Sequence, residues 1–199
     1  MSAAPPAFEG LYVCVLGWLL AMVEVHVEGP NGWAEDLPTW RLEPAWLLRL
    51  TNGKPVTGYH IFLVGFLLAV YHLPLLFVGF SRAVEAEVIS LYLLMAVCWD
   101  FQWFVWNPHW GLRRFLNERV YWLPRRLLRI PIEYYVGIGG SILAARLLDP
   151  PSWRHAGAVS AAACGAVLVS AGLAAARPAA PQAPSAPSPA GCHCSEERP

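Results

Sequence analysis

Charged side chains are scarce in this 199-residue chain: they make up 14% of the residues, whereas a soluble domain carries about 25%. Lys and Arg together number 14, as do Asp and Glu, so the formal net charge is zero. Because there is no basic excess to neutralise phosphates, we expect no nucleic-acid partner. Hydrophobic residues make up 56% of the chain, and the mean hydropathy is +0.42. This composition predicts a protein that resides in a lipid bilayer.

Motifs of well-known chemistry are also absent. The sequence contains no G-x-S-x-G, P-loop, G-x-G-x-x-G or C-x-x-C motif, and none of the H-x-x-H clusters of membrane iron enzymes. The five cysteines are an odd number, so no disulfide framework is indicated. Cys192, His193 and Cys194 offer soft-metal ligands near the C-terminus, but a structural site needs a fourth ligand.

Five apolar segments approach the roughly 20 residues that a transmembrane helix needs. They span residues 11–27, 59–80, 88–106, 131–148 and 156–176. We therefore predict an all-α, polytopic membrane helix bundle over residues 1–176, with about five transmembrane helices. Small residues four positions apart predict that the last two helices pack closely against each other. These pairs are Gly137 with Ser141, Gly140 with Ala144, and Ala161 with Gly165.

Three further segments lie outside the apolar runs. Residues 40–50 carry tryptophans among leucines, which predicts a short helix in the membrane interface. Residues 111–129 alternate six arginines with aromatic and leucine side chains, which predicts an amphipathic surface segment that anchors the chain on anionic lipid. Residues 177–199 are rich in Pro, Ala and Ser, and we expect a disordered cytoplasmic tail there.

The distribution of basic residues predicts an orientation. With five crossings, segments 28–58 and 107–130 and the tail lie on one side, which carries eleven of the 14 Lys and Arg residues. The positive-inside rule then places the N-terminus outside and the C-terminus in the cytoplasm. The first apolar run has no basic residue before it and no small-residue cleavage site after it, so we do not expect it to be a signal peptide. One lysine against thirteen arginines indicates a GC-rich bacterial genome, and hence a bacterial inner membrane.

Polar side chains collect at the cytoplasmic ends of the first three helices. Because consecutive helices run antiparallel, the end of the first helix, the start of the second and the end of the third lie at one membrane boundary. Ionisable groups that are buried at membrane depth cost free energy and often mark a functional site. Trp103 and Asn107 follow Asp100 at helical spacing. The candidate pocket residues are Glu24, Glu28, His60, Asp100, Trp103, Asn107 and His109.

Carboxylates and imidazoles in one pocket are suitable ligands for Fe, Mn or Zn. The candidate metal ligands are Glu24, Glu28, His60 and Asp100. Two other interpretations stay open: these groups fix helix packing through hydrogen bonds, or they line a proton or ligand pathway. The tryptophans at 99, 103, 106 and 110 form a stripe that serves packing and interfacial anchoring or, alternatively, walls a flat apolar ligand.

Four runs of sequence carry a resemblance. EGPNGW (28–33), LPTWR (37–41), TGYH (57–60) and WDFQWFVWNPHWG (99–111) are similar to runs in a family of small bacterial multi-pass membrane proteins. The resemblance covers about residues 11–135 and includes the whole polar face. It implies a multi-pass membrane protein and no particular activity.

The residues support three classes of function. The first is a membrane protein whose polar pocket binds a metal ion or a small lipid-soluble ligand. The second is a membrane-embedded, metal-dependent enzyme that acts on a lipid. The third is a structural membrane subunit with no chemistry of its own.

Overall fold

The computed structural model describes residues 4–120 and 122–177. Within these residues the chain is 72% helical and has almost no strand, which confirms the all-α prediction. The helices are α1 (Pro6–Glu28), α2 (Ala45–Leu50), α3 (Gly58–Tyr71), α4 (Leu73–Val78), α5 (Arg82–Trp106), α6 (Gly111–Asn117), α7 (Ile132–Leu148) and α8 (Trp153–Ala175). Two short antiparallel pairs join β1 (Arg41–Leu42) to β2 (Val56–Thr57) and β3 (Arg126–Leu127) to β4 (Ile130–Pro131).

Four helical stretches are long and apolar enough to cross a membrane: Pro6–Glu28, Gly58–Val78, Arg82–Trp106 and Pro150–Ala175. The remaining predicted segment, 131–148, forms α7, which has 17 residues. At 1.5 Å per residue, α7 is about 25 Å long, slightly shorter than the roughly 30 Å of a hydrocarbon core. The described part of the chain therefore supports four spans by length and composition, one fewer than expected.

Two long helices begin earlier than the apolar runs predicted. The first starts at Pro6, which suits the first turn of a helix because its missing N–H would have no partner there. Helix α5, the third of the predicted spans, starts at Arg82. It follows Ser81, whose hydroxyl accepts the N–H of Val84 at 3.2 Å. Counting apolar residues misses such polar first turns.

A break at His72 divides the second span into α3 and α4. Pro74 has no N–H to continue the helical ladder, so the helix is interrupted there. The Nε2 atom of His72 lies 3.3 Å from Glu85 Oε1 in the first turn of α5. Pro74 thus accounts for the break, and the contact between His72 and Glu85 ties the end of α3 to α5.

The core is a bundle of α1, α5, α7 and α8 in which glycines allow backbones to approach closely. A Cβ at Gly10 would lie 2.6 Å from the backbone nitrogen of Ala163 on α8. A Cβ at Gly17 would lie 2.9 Å from the nitrogen of Trp99 on α5. These distances leave no room for any side chain at either glycine.

The small residues of α7 face α5, which corrects the expectation that they join α7 to α8. A Cβ at Gly137 would lie 2.4 Å from Val97 Cγ2, and the Ser141 hydroxyl is 2.8 Å from that of Ser90 on α5. An added Cβ at Gly165 on α8 would meet no atom within 4 Å. Small-residue spacing identified the contact face of α7 but could not identify the helix that covers it.

A hydrogen-bonded group at the bundle centre ties three helices together. Gln102 of α5 is fully buried; its Nε2 donates to the carbonyl of Cys14 on α1 at 2.9 Å. Its Oε1 accepts the Ser170 hydroxyl of α8 at 2.9 Å, and that hydroxyl in turn accepts the Trp106 N–H. At the other end of α1, Glu9 Oε2 lies 2.9 Å from His155 Nε2 on α8.

The segment 111–129 is more than a surface anchor. The Phe115 side chain is buried, with its ring centroid 4.7 Å from that of Phe104 on α5, and Trp122 packs beside them. Five of its arginines are exposed, whereas Arg126 is half-buried and donates to the Phe115 carbonyl at 2.6 Å. The segment therefore caps the end of α5. Of the predicted tail, residues 177–199, only Arg177 is among the described residues. Cys192, His193 and Cys194 lie outside them.

Candidate metal centre

A cavity of about 410 Å³ lies where the end of α1, the start of α3 and the end of α5 meet the loop that joins α1 to α3. Four ionisable residues line it: Glu24, Glu28, His60 and Asp100. Trp103 also lines it. Five of the seven predicted pocket residues are thus brought together, because antiparallel helices of similar length place these three ends at one level.

Three of the ionisable residues are close enough to share an ion. Glu24, Glu28 and His60 each offer one ligand atom, and these atoms lie within 4.8 Å of one another. Metal–ligand distances of about 2.0–2.2 Å allow two ligand atoms to be at most about 4.4 Å apart. Because the ligand atoms of a tetrahedral site are about 3.4 Å apart, side-chain shifts of up to about 1 Å would bring all three atoms into one coordination sphere.

The loop after α1 fixes the Glu28 carboxylate. The N–H of Ala34 donates to Glu28 Oε1 at 2.6 Å. Gly32, Trp33 and Ala34 all have positive φ, between 54° and 66°, so the chain makes a left-handed turn around the carboxylate. This conformation costs roughly 1–2 kcal/mol at each of the two non-glycine residues, and such strain tends to persist at functional sites. At Gly32 a Cβ would also lie 2.8 Å from the Trp103 ring.

Thr57 fixes the His60 imidazole. Its hydroxyl caps α3 by accepting the His60 N–H at 3.3 Å, and the same oxygen lies 2.7 Å from His60 Nδ1. The other ring nitrogen, Nε2, lies 3.5 Å from Glu28 Oε1. A hydrogen bond at one imidazole nitrogen that leaves the other for a metal is the arrangement usual in metal sites.

The hairpin of β1 and β2 positions this cap. The N–H of Gly58 donates to the Trp40 carbonyl at 3.0 Å, and the N–H of Tyr59 donates to Thr39 Oγ1 at 3.0 Å. Trp33 stacks at a tilt on the imidazole, with 4.8 Å between ring centroids. The start of α3 is therefore held by the loop on three sides, so His60 needs little reorganisation to bind an ion.

Asp100 lines the cavity but lies outside the three-residue group found among the described residues. Tyr134 of α7 donates its hydroxyl to Asp100 Oδ2 at 2.5 Å. That bond turns one carboxylate oxygen toward α7. Of the four predicted metal ligands, Glu24, Glu28 and His60 form the close group, and Asp100 lies outside it.

Asn107 and His109 do not line this cavity, which corrects the predicted pocket. Helix α5 ends at Trp106, and Asn107 has extended backbone angles, so the helical spacing from Asp100 no longer applies. The Asn107 side chain donates to the Gly29 carbonyl at 3.0 Å and accepts the His109 N–H at 2.9 Å. It joins the ends of α1 and α5, and His109 lies at two other cavities on the outside of that junction.

Three residues around the site were not singled out from the sequence. Thr57 could have been identified from the sequence, because threonine is a common N-cap residue whose side chain accepts the N–H three positions later, here that of His60. Lys54, the single lysine, is buried, with its ammonium 4.3 Å from the centroid of the Trp122 ring and within electrostatic range of Glu28. Tyr134 reaches Asp100 across 34 residues, and no local pattern marks it.

No protein family model, curated protein or solved structure matches the chain.

Proposed function

We propose that the chain is an integral protein of the bacterial inner membrane that binds a divalent transition-metal ion through Glu24, Glu28 and His60. The observation that carries the proposal is the convergence of two carboxylates and one imidazole within 4.8 Å at the ends of two long apolar helices. Carboxylates buried at such a place are costly unless a cation accompanies them.

The donor set favours Fe, Mn or Zn. Oxygen ligands suit Mn and Fe, and imidazole suits Zn and Fe. Three protein ligands leave at least one coordination position open, as in catalytic rather than structural metal sites. The hydrogen bond between Thr57 and His60 Nδ1 orients the imidazole, and the hydrogen bond from the Ala34 N–H orients the Glu28 carboxylate.

Elemental analysis of the full-length protein, purified in a mild detergent, tests the proposal. We expect close to one equivalent of Fe, Mn or Zn in the wild type. Glu28→Gln and His60→Ala should each lower the metal content about tenfold or more, because each removes a ligand atom. Thr57→Val, which keeps the shape of Thr57 but removes its hydroxyl, should lower the affinity less.

Matched controls separate ligand loss from general damage. His26 is exposed on α1, with Nδ1 bonded to the Met22 carbonyl, and Glu43 is exposed in the loop. His26→Ala and Glu43→Gln should retain the wild-type metal content. A wild type without metal after growth and purification with each ion would refute the proposal, as would equal losses in the control variants.

The proposed orientation places the cavity on the cytoplasmic side. The support is the excess of Lys and Arg in the segments beside the cavity. A reporter fusion after residue 129 should give a cytoplasmic signal. A fusion after residue 177 should give the same signal if α7 crosses the membrane as the fifth span, and a periplasmic signal if only the four longer helical stretches cross. A periplasmic signal after residue 129 would reverse the side to which the cavity opens.

A further inference from the structure

The cavity extends beyond the three ligand residues into an apolar region. Val64 on α3 lies one helical turn past His60, and Ala96 on α5 lies one turn before Asp100. Both residues line the cavity, and each turn is about 5.4 Å further from the loop. The polar groups thus occupy one end of the cavity, and its other end lies at the depth of the hydrocarbon.

The apolar end is bounded by a helix that packs loosely. Within α3 only Gly58 is buried, and Ile61 and Val64, which line the cavity, have exposed side chains. In a bilayer, the exposed side of α3 would contact lipid. A molecule dissolved in the hydrocarbon can therefore reach the cavity between α3 and α5 without crossing the polar loop.

An unused hydrogen-bond donor lies in the cavity wall. Trp103 is 4% exposed, and its Nε1 has no hydrogen-bond partner. Buried indole N–H groups usually find an acceptor, and an unsatisfied donor costs free energy. A bound molecule whose oxygen reached the Trp103 N–H would supply the acceptor that this indole lacks.

The charge balance of the site favours an uncharged occupant. Three carboxylates surround the cavity, and Lys54 lies within electrostatic range of Glu28. A divalent ion and the Lys54 ammonium together neutralise three ionised carboxylates. An anionic headgroup would add an unbalanced charge at low dielectric, which is unfavourable.

We infer that the cavity binds a lipid-soluble molecule with an uncharged oxygen group, a hydroxyl or a carbonyl, which enters from the bilayer between α3 and α5. The inference rests on the proposed metal site. The oxygen fills the open position of the ion at Glu24, Glu28 and His60 or accepts the Trp103 N–H, and the apolar body lies against Val64 and Ala96.

A photoactivatable long-chain alcohol tests the inference. The probe is hexadecan-1-ol with a diazirine midway along its chain, added to the full-length protein in lipid nanodiscs supplied with Zn²⁺. After irradiation, mass spectrometry should find label on the peptides that contain Val64 and Ala96. An excess of unlabelled hexadecan-1-ol should suppress this label, and an excess of hexadecanoate, its anionic counterpart, should not.

Two variants locate the probe. Ala96→Leu fills the apolar end of the cavity and should abolish the competed label, whereas Ala69→Leu, on an exposed position of α3 outside the cavity, should preserve it. Trp103→Phe should weaken competition by hexadecan-1-ol about fivefold, the loss expected for one hydrogen bond.

The outcomes distinguish this inference from the proposed function because the metal content is measured in the same samples. Bound Zn²⁺ with label that hexadecan-1-ol does not displace would overturn the inference and leave the metal site intact. Equal competition by hexadecanoate would overturn the charge argument, and with it the inference. Protein that binds no metal ion would overturn the proposed function and the inference together.

Discussion

The two sides of α5 are packed in opposite ways. On one side, α1, α7 and α8 approach so closely that glycines at 10, 17 and 137 leave no space for a Cβ, and Gln102 is bonded to α1 and α8. On the other side, α3 buries only Gly58 and encloses a cavity between itself and α5. In lipid, close backbone packing and interhelical hydrogen bonds, rather than hydrophobicity, hold helices together. The bundle therefore supplies stability, and the α3 side supplies a space for chemistry.

The largest effect is expected on the tightly packed side. Gly10→Leu would drive a side chain into the backbone of α8, where even a Cβ lies 2.6 Å from Ala163 N. We expect a loss of about 3 kcal/mol or more, the upper end for overpacking. Thermal unfolding in detergent measures it. Gly157→Leu on α8, where a Cβ meets nothing within 4 Å, is the control and should unfold near the wild-type temperature.

A smaller loss is expected from the bonds at the bundle centre. Gln102→Leu removes the bonds to the Cys14 carbonyl and the Ser170 hydroxyl and leaves both groups buried. We expect a loss of about 1–2 kcal/mol, since membrane hydrogen bonds average about 0.6 kcal/mol each and unsatisfied groups add a penalty. In a cycle with Ser170→Ala, the double variant should lose less than the sum of the single variants. Additive losses would show that the two residues act independently.

Asp100 of α5 lines the cavity on the α3 side and accepts a hydrogen bond from α7 on the other side. Tyr134→Phe tests whether Asp100 lies outside the set of metal ligands. Removing the hydroxyl that donates to Asp100 Oδ2 should cost about 1 kcal/mol. The metal content should stay at the wild-type level, because Asp100 is outside the three-ligand group. The neighbouring Tyr135→Phe, at an exposed hydroxyl, is the matched control. Metal loss in Tyr134→Phe alone would return Asp100 to the ligand set.

The smallest effect is expected on the outer surface of α3. Phe66 is 66% exposed, and in a bilayer its ring exchanges protein contacts for lipid contacts of similar strength. Phe66→Ala should change the stability by no more than about 0.5 kcal/mol in thermal unfolding. A loss of more than about 1.5 kcal/mol would mean that this surface is covered by another protein and would end the contrast between the two sides of α5.

The sequence predicted the features that depend on length and depth. Apolar runs located the helices, and antiparallel threading brought Glu24, Glu28 and His60 to one level, because each helix rises by a fixed distance per residue. It did not predict features that depend on helix rotation or on where a helix stops. Asp100 contacts Tyr134 because α7 packs against α5. Asn107 departs from the helical spacing that starts at Asp100 because α5 ends at Trp106.

The distance between the acids at the two ends of α1 gives the hydrocarbon thickness that this helix would match. Glu9, paired with His155, and Glu28 are nineteen residues apart, which corresponds to about 28 Å along the helix. That length is close to the roughly 30 Å of a typical hydrocarbon core. In a thicker bilayer, one of the two acidic ends would be drawn into the hydrocarbon, or the bilayer would thin around α1 to avoid it. In such a bilayer, the acyl-chain length of the lipid would affect the solvation of the proposed metal ligands.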